Sequence, residues 1–258
     1  MLIEYDGTSY RGWQSQTNAK SIQGTLIKTV EEVLECKADI QGAGRTDAGA
    51  HALGQVAHME VPRKLPLRAV WEKLNDALPA NINIRRMEEV KADFHARYDA
   101  KGRSYLYFIS EKRTAFGKRY VWWIKDRLDL EIMRETAAVF KGFHNFSSFA
   151  DKRRNKSDSS LVKIESVSLE KHNDLLVFRF AGSHFLWKMV RRLVGITVET
   201  GRGNMTTQDV HNMLKTASDI PAQYTAPPSG LFLEQVLYEG ETWRPYRLTP
   251  WPMQTERE

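Results

Sequence analysis

Asp47 is the residue whose surroundings point most directly to chemistry. It lies in Gly42 to His58, the run Gly-Ala-Gly-Arg-Thr-Asp-Ala-Gly-Ala-His-Ala-Leu-Gly-Gln-Val-Ala-His, with glycines at 42, 44, 49 and 54. Glycine admits backbone conformations closed to other residues. The run therefore reads as a loop able to bring one carboxylate into a confined place. An ionised carboxylate there can act as nucleophile or general base. Thr-Asp-Ala-Gly taken alone is also an ordinary turn, and Asp and Gly are common turn residues. Shut off from water, the carboxylate needs a cation beside it to stay an anion. Arg191 is the candidate, because a guanidinium can hold a carboxylate through two hydrogen bonds. Arg45 is the rival. Breaking such a buried pair costs about 3–5 kcal/mol.

The elements that must position these groups follow from periodicity and capping. Leu2 to Tyr5 reads as a short strand ending in an Asp6-Gly7-Thr8 turn. Ser21 can cap a helix whose apolar residues Ile22, Leu26, Val30, Val33 and Leu34 share one face through about Glu35. Gln55 to Val61 is a strand, so Asp47 is expected on a mobile polar loop between a packed helix and a sheet. Leu67, Val70, Leu74 and Leu78 predict a second helix, closed by Pro79. Ile82 to Val90 is read as a strand. Arg103, Tyr105, Tyr107 and Ile109 alternate with Leu106 and Phe108 on another, one face core and the other carrying two phenols. Asp129 should cap a helix to Phe140, with Ile132, Met133, Thr136, Ala137 and Phe140 inward. Ile164 to Leu169 and Leu175 to Ala181 form a hairpin. A helix from about His184 to Glu199 carries a polar stripe of His184, Lys188, Arg191, Gly195 and Glu199. Thr206 and Asp209 have capping-box spacing. Leu231, Leu233 and Leu237, alternating with Phe232, Val236 and Tyr238, give the last strand.

The chain has 258 residues and a formal net charge of +6. Its cations gather in three runs: Lys112, Arg113, Lys118 and Arg119; Lys152, Arg153, Arg154 and Lys156; and Lys188, Arg191 and Arg192. Runs of this kind among many aromatics suit a nucleic acid, cations meeting phosphates and rings meeting bases. No apolar run approaches the ~20 residues needed to span a bilayer. The N-terminus has no secretory pattern, and Cys36 is the sole cysteine. A reducing, cytoplasmic setting is expected. Neither a zinc-spaced Cys/His cluster nor a Walker or dinucleotide fingerprint is present in the sequence.

Three strings together resemble one family. Gly44 to Ala52, Gly-Arg-Thr-Asp-Ala-Gly-x-His-Ala, is similar to the signature of the TruA family of tRNA pseudouridine synthases. Tyr5 to Gln16 resembles its opening pattern, and Met189-Val190-Arg191-Arg192-Leu193-Val194-Gly195 its second motif. Ala50 in place of Val, and Ser183-His184 where Asn-Gly is common, are small departures. The resemblance implies an α+β fold of two similar α/β lobes, their antiparallel sheets meeting at a central cleft. We assign 1–105 to the first lobe, 106–240 to the second and 241–258 to a tail.

It also implies that Asp47 is catalytic and that Tyr105 stacks on uracil, with Tyr107 the structural alternative. The substrate implied is a uridine at positions 38 to 40 of a tRNA anticodon stem-loop, flipped from its stem, and the implied assembly a homodimer. Arg45, Thr46, Gln14 and His51 are placed beside the nucleotide, and Arg153, Arg154, Lys188 and Arg192 on the RNA backbone. The isomerisation needs no redox change or energy input, so no cofactor is expected. Asp47 attack at ribose C1′, attack at uracil C6 and removal of a ribose proton remain open. The competing classes are an RNA-binding protein without catalysis and a hydrolytic nucleosidase.

Overall fold

The computed structural model describes residues 1–62, 66–152 and 159–245. In chain order the elements are β1 (Leu2–Tyr5), α1 (Ile22–Leu34), β2 (Asp39–Gly42), β3 (His51–Glu60), α2 (Leu67–Ala77), β4 (Ile82–Arg86) and β5 (Gly102–Ser110). There follow β6 (Trp122–Trp123), α3 (Leu130–Val139), β7 (Gly142–Asn145), β8 (Leu161–His172), β9 (Leu175–Gly182), α4 (Met189–Gly201), α5 (Thr207–Lys215), α6 (Ile220–Gln223) and β10 (Leu231–Leu237).

Local chemistry sets most of the helix ends. The Ser21 hydroxyl accepts from the Gly24 amide, and Asp129 accepts from the amides of Glu131 and Ile132. Thr206 and Asp209 make both bonds of a capping box, satisfying amides that the first turn leaves free. Pro79 follows α2, as expected. Ile132, assigned inward, is 37% exposed.

The strands form one sheet in the order β4-β1-β3-β10-β5-β9-β8-β7, with β2 added on β3 and β6 on β5. Short β1 pairs antiparallel with both β3 and β4. The two halves, β1–β4 with α1 and α2, and β5–β9 with α3 to α5, join through β10. That strand runs parallel to β3 (Phe232 opposite His51) and antiparallel to β5. The boundary drawn at residue 105 falls inside β5, which runs unbroken from Gly102 to Ser110.

The helices cover one face of the sheet and share a core with it. Tyr105, Tyr107 and Ile109 point into that core, whereas Leu106 and Phe108 pack with Val177 and Phe232 on the opposite face. The phenol face of β5 is therefore the one turned to the main core, and the other face is apolar too. In β10 the register shifts between Leu233 and Gln235, and Val236 joins Leu231 and Leu233 in the main core. The expected strict alternation fails there because an irregularity moves following side chains to the other face.

Candidate active site

The loop from Ala43 to Ala50 joins β2 to β3 and is held from several sides. Trp13 N–H donates to Thr46 O at 3.1 Å, Gly49 N–H to Tyr10 O at 3.2 Å, and Gln55 Nε2 to Gly44 O at 2.8 Å. The Thr46 hydroxyl, itself buried, shares a hydrogen bond with the Tyr5 phenol at 2.7 Å. Gly49 adopts φ 78°, a left-handed conformation, and a Cβ there would also lie 3.2 Å from Pro228. These bonds fasten a loop that the sequence led us to expect as mobile.

The loop places Asp47 against α4. Asp47 Oδ2 accepts from Arg191 Nη1 at 2.6 Å, and Oδ1 accepts from Trp187 Nε1 at 2.8 Å. Both charged side chains are 13% exposed. Arg191 Nε donates to Ala226 O at 2.7 Å, so the guanidinium is braced on the side away from the carboxylate. Gly195, one turn on, makes this brace possible: a Cβ there would come within 1.6 Å of Tyr224 O. The expected two-pronged Arg–Asp grip is thus a single bond, because Nε serves the 224–226 segment instead.

Trp187 was not foreseen. The sequence suggested helix from His184, but α4 starts at Met189, and Lys188 before it has φ 61°. A non-glycine residue in that conformation cannot continue a right-handed helix. The turn it makes carries the Trp187 indole to Asp47. We expect Trp187→Phe, which keeps an aromatic ring and removes the donor, to lower kcat by about 10- to 100-fold, the value of a hydrogen bond to a charged group. Steady-state kinetics showing that loss with little change in KM would check it.

Tyr105 enters from β5, buried, with its ring edge-on to Phe185 at 5.1 Å. Burial pushes its phenol up to about 12, with nearby Arg103 pulling down and Asp47 pushing up. Tyr107 is spent on structure, donating to Pro227 O at 2.7 Å. Burial likewise raises the phenols of Tyr5, Tyr107 and Tyr238. These groups hold their protons more tightly folded than unfolded. Their contribution is complete below the unfolded pKa near 10 and is lost as pH rises through the folded values. Stability should fall above about pH 10 by about 1.4 kcal/mol per pH unit for each such phenol. Denaturant titrations from pH 9 to 11.5 should show a shallower fall for Tyr107→Phe than for the parent.

The other expected contacts divide. Arg45 is exposed and makes no ion pair among the described residues. Gln14 Nε2 is bonded to Gln23 Oε1 at 2.8 Å, and Gln23 in turn donates to Ile40 O. His51 does not face Asp47's carboxylate. It stacks on Phe232 at 4.6 Å, with Nδ1 accepting from Gly7 N–H and Nε2 donating to Arg119 O. Burial holds its pKa below the ordinary value against the opposing pull of Asp6, which fits a neutral ring with one donor and one acceptor.

Arg192 and Lys188 turn inward as well. Arg192 is buried and donates to Ala150 O, and Lys188 Nζ lies 2.8 Å from Asp151 Oδ2. Arg153 and Arg154 lie outside the described residues.

Arg103 is a second group that sequence reading passed over as part of a site. Its Nη2 donates to Ala43 O and Arg97 O, both at 2.9 Å, and Nη1 reaches Ala100 O and Ser183 O at 3.3 and 3.4 Å. It ties the stem of the Asp47 loop to the segment that precedes α4.

A partly buried carboxylate braced by a guanidinium and an indole, with a neutral phenol nearby, is the equipment of an enzyme that works by acid–base or covalent chemistry. The comparisons specify which. The family description "tRNA pseudouridine synthase" matches residues 1–99 and 136–239. A tRNA pseudouridine synthase A of Acetivibrio thermocellus is 39% identical over 240 residues, covering 92% of this chain and 98% of that protein. Those of Thermodesulfovibrio yellowstonii and Geobacter sp. strain M21 are 36% and 38% identical, each over 92% of this chain and over 98% and 97% of the relative. The chain belongs to the tRNA pseudouridine synthase family, isomerases that convert uridine to pseudouridine in tRNA. Among the described residues no helix is long and apolar enough to cross a membrane.

Proposed function

We propose that the protein isomerises uridines of the tRNA anticodon stem-loop with Asp47 as the catalytic residue. The observation that carries this reading is the Asp47 carboxylate held by Arg191 and Trp187 beneath the loop that bears it. The reaction breaks the bond from N1 of uracil to ribose C1′, turns the base and joins C5 to C1′. The C5 proton leaves and N1 gains one, so atoms balance with no cofactor. Asp47 acts as an anion, at C1′, at C6 or on a ribose proton. Arg191 holds and orients it through the 2.6 Å bond from Nη1. The family relationship supports a base flipped from its stem, whose cost stacking against Tyr105 and phosphate contacts would offset. Because burial keeps the Tyr105 phenol protonated, it serves as a hydrogen-bond donor beside C5 until a partner takes its own proton. Arg45, which makes no ion pair among the described residues, is the cation for the extruded nucleotide.

The same reading includes a cytoplasmic homodimer with one tRNA spanning both subunits. Incubation with tRNA tritiated at uracil C5 tests the chemistry. Tritium should appear in solvent with the RNA chain intact. Abasic sites would instead mean a nucleosidase, and neither outcome would mean a binder. Mapping pseudouridines by mass spectrometry would test the stem-loop assignment, and sedimentation the dimer.

A further inference from the structure

Away from the Asp47 carboxylate, residues Glu111 to Arg127 carry six Lys and Arg side chains against two acids. Both acids are engaged: Glu111 pairs with Lys171 at 2.5 Å and Asp126 with Arg202 at 2.7 Å. Lys112, Lys118, Lys125 and Arg127 are exposed and make no ion pair among the described residues. Two large rings stand in solvent with them, Phe116 at 80% and Trp123 at 41% exposure. Arg113 lies over the Trp123 ring, 5.7 Å from its centre.

A solvated face accounts for cations but not for a nearly bare phenylalanine between them. Cations interleaved with open rings suit RNA, phosphates meeting the charges and bases or riboses the rings. An anionic membrane is the poorer fit, because such binding usually takes an amphipathic helix. This stretch is irregular apart from a short 3-10 turn, Lys118–Tyr120, and the two residues of β6.

The stretch is also joined to the catalytic loop. Ser229 donates to Val121 O at 3.2 Å, and neighbouring Pro228 is the residue that a Cβ on Gly49 would meet. Gly49 is two residues from Asp47. His51, which begins β3 just past that loop, donates to Arg119 O. The family description leaves this region unmatched, ending one block at 99 and resuming at 136.

We propose that Glu111 to Arg127 is a second contact surface for the substrate tRNA, outside the cleft. Lys112, Arg113 and Lys118 take backbone phosphates, and Phe116 takes an exposed base or ribose. The proposal rests on reading the cleft as a tRNA site. It assigns the surface to binding rather than to the chemical step.

The test compares tRNA affinity, its salt dependence and tritium release for Lys112→Ala/Arg113→Ala/Lys118→Ala, for Phe116→Ala, and for a control, Lys28→Ala/Lys37→Ala/Lys73→Ala, which removes as much charge from exposed positions on and beside α1 and α2. The first variant should raise KM about tenfold or more at unchanged kcat. It should also flatten the slope of log K against log salt by about 0.7–0.9 for each lost phosphate contact. Phe116→Ala should raise KM severalfold at the parent's slope, and the control should follow the parent throughout. Parental KM and slope in the first variant would overturn the proposal, as would an equal effect in the control. Thermal melting of each variant separates loss of contact from loss of fold. If the parent itself releases no tritium, the cleft reading fails, while the binding slopes still judge the surface.

Discussion

Asp47→Ala should abolish tritium release from C5-labelled tRNA while leaving tRNA affinity within a few-fold of the parent. The carboxylate is mostly withdrawn from solvent, and its two described hydrogen bonds are internal, to Arg191 and Trp187. Little binding should therefore depend on it. On the proposed mechanism the chemical step, by contrast, has no substitute for it. Losing an essential nucleophile or base commonly costs four or more orders of magnitude, about 5 kcal/mol or more of barrier. Asp47→Asn is the sharper version, since it keeps size and polarity and removes the charge. Release at the parental rate in either variant would eliminate the mechanism, and a collapse of affinity would recast Asp47 as a binding residue.

Arg191 should show the second large effect, and the conservative change should not rescue it. Its guanidinium makes two bonds in different directions, Nη1 to Asp47 and Nε to Ala226 O. A lysine ammonium at the end of a flexible stem does not reproduce that geometry. Arg191→Lys is expected to lower kcat by at least about a hundredfold, the effect of losing about 3 kcal/mol of charge-assisted bonding. Arg191→Ala should also destabilise the fold by about 3–5 kcal/mol, because it strands a buried carboxylate. Adding Asp47→Ala should restore part of that stability, the mark of two coupled residues. Denaturation curves of the four proteins in this cycle decide the matter: strict additivity, or a fully active Arg191→Lys, would dissociate the pair.

Where local chemistry decides, the sequence was a good guide. Ser21, Asp129 and the Thr206–Asp209 pair each satisfy amides a few residues away, so their roles needed no tertiary knowledge. The pairing of Asp47 with Arg191 was legible for a different reason: an unusual polar string and a polar stripe on an apolar helix limited the pairings, with Arg45 the rival. What stayed hidden depended on distant backbone. Nothing near Lys188 announces a left-handed residue, yet that turn delays the start of the helix and delivers Trp187 to Asp47. His51 and Arg192 looked like groups for a ligand because they are polar and lie beside motif residues. Their partners, Arg119 O and Ala150 O, come from remote segments. The slip in β10 likewise follows from pairing with β5 across more than a hundred residues, not from its own alternation.

The position of β10 has a bearing on how the molecule is made. A strand from the far end of the chain fills the middle of the sheet, between β3 and β5. During synthesis both neighbours emerge long before it and present unpaired edges, the arrangement most exposed to intermolecular pairing. Closure of the sheet, and with it the seating of Gly49 on the Pro228 turn just ahead of β10, must await synthesis of residues 228–237. A ribosome stalled before residue 231 would hold a nascent chain with the Asp47 loop already made and β3 and β5 still waiting for the strand that joins them.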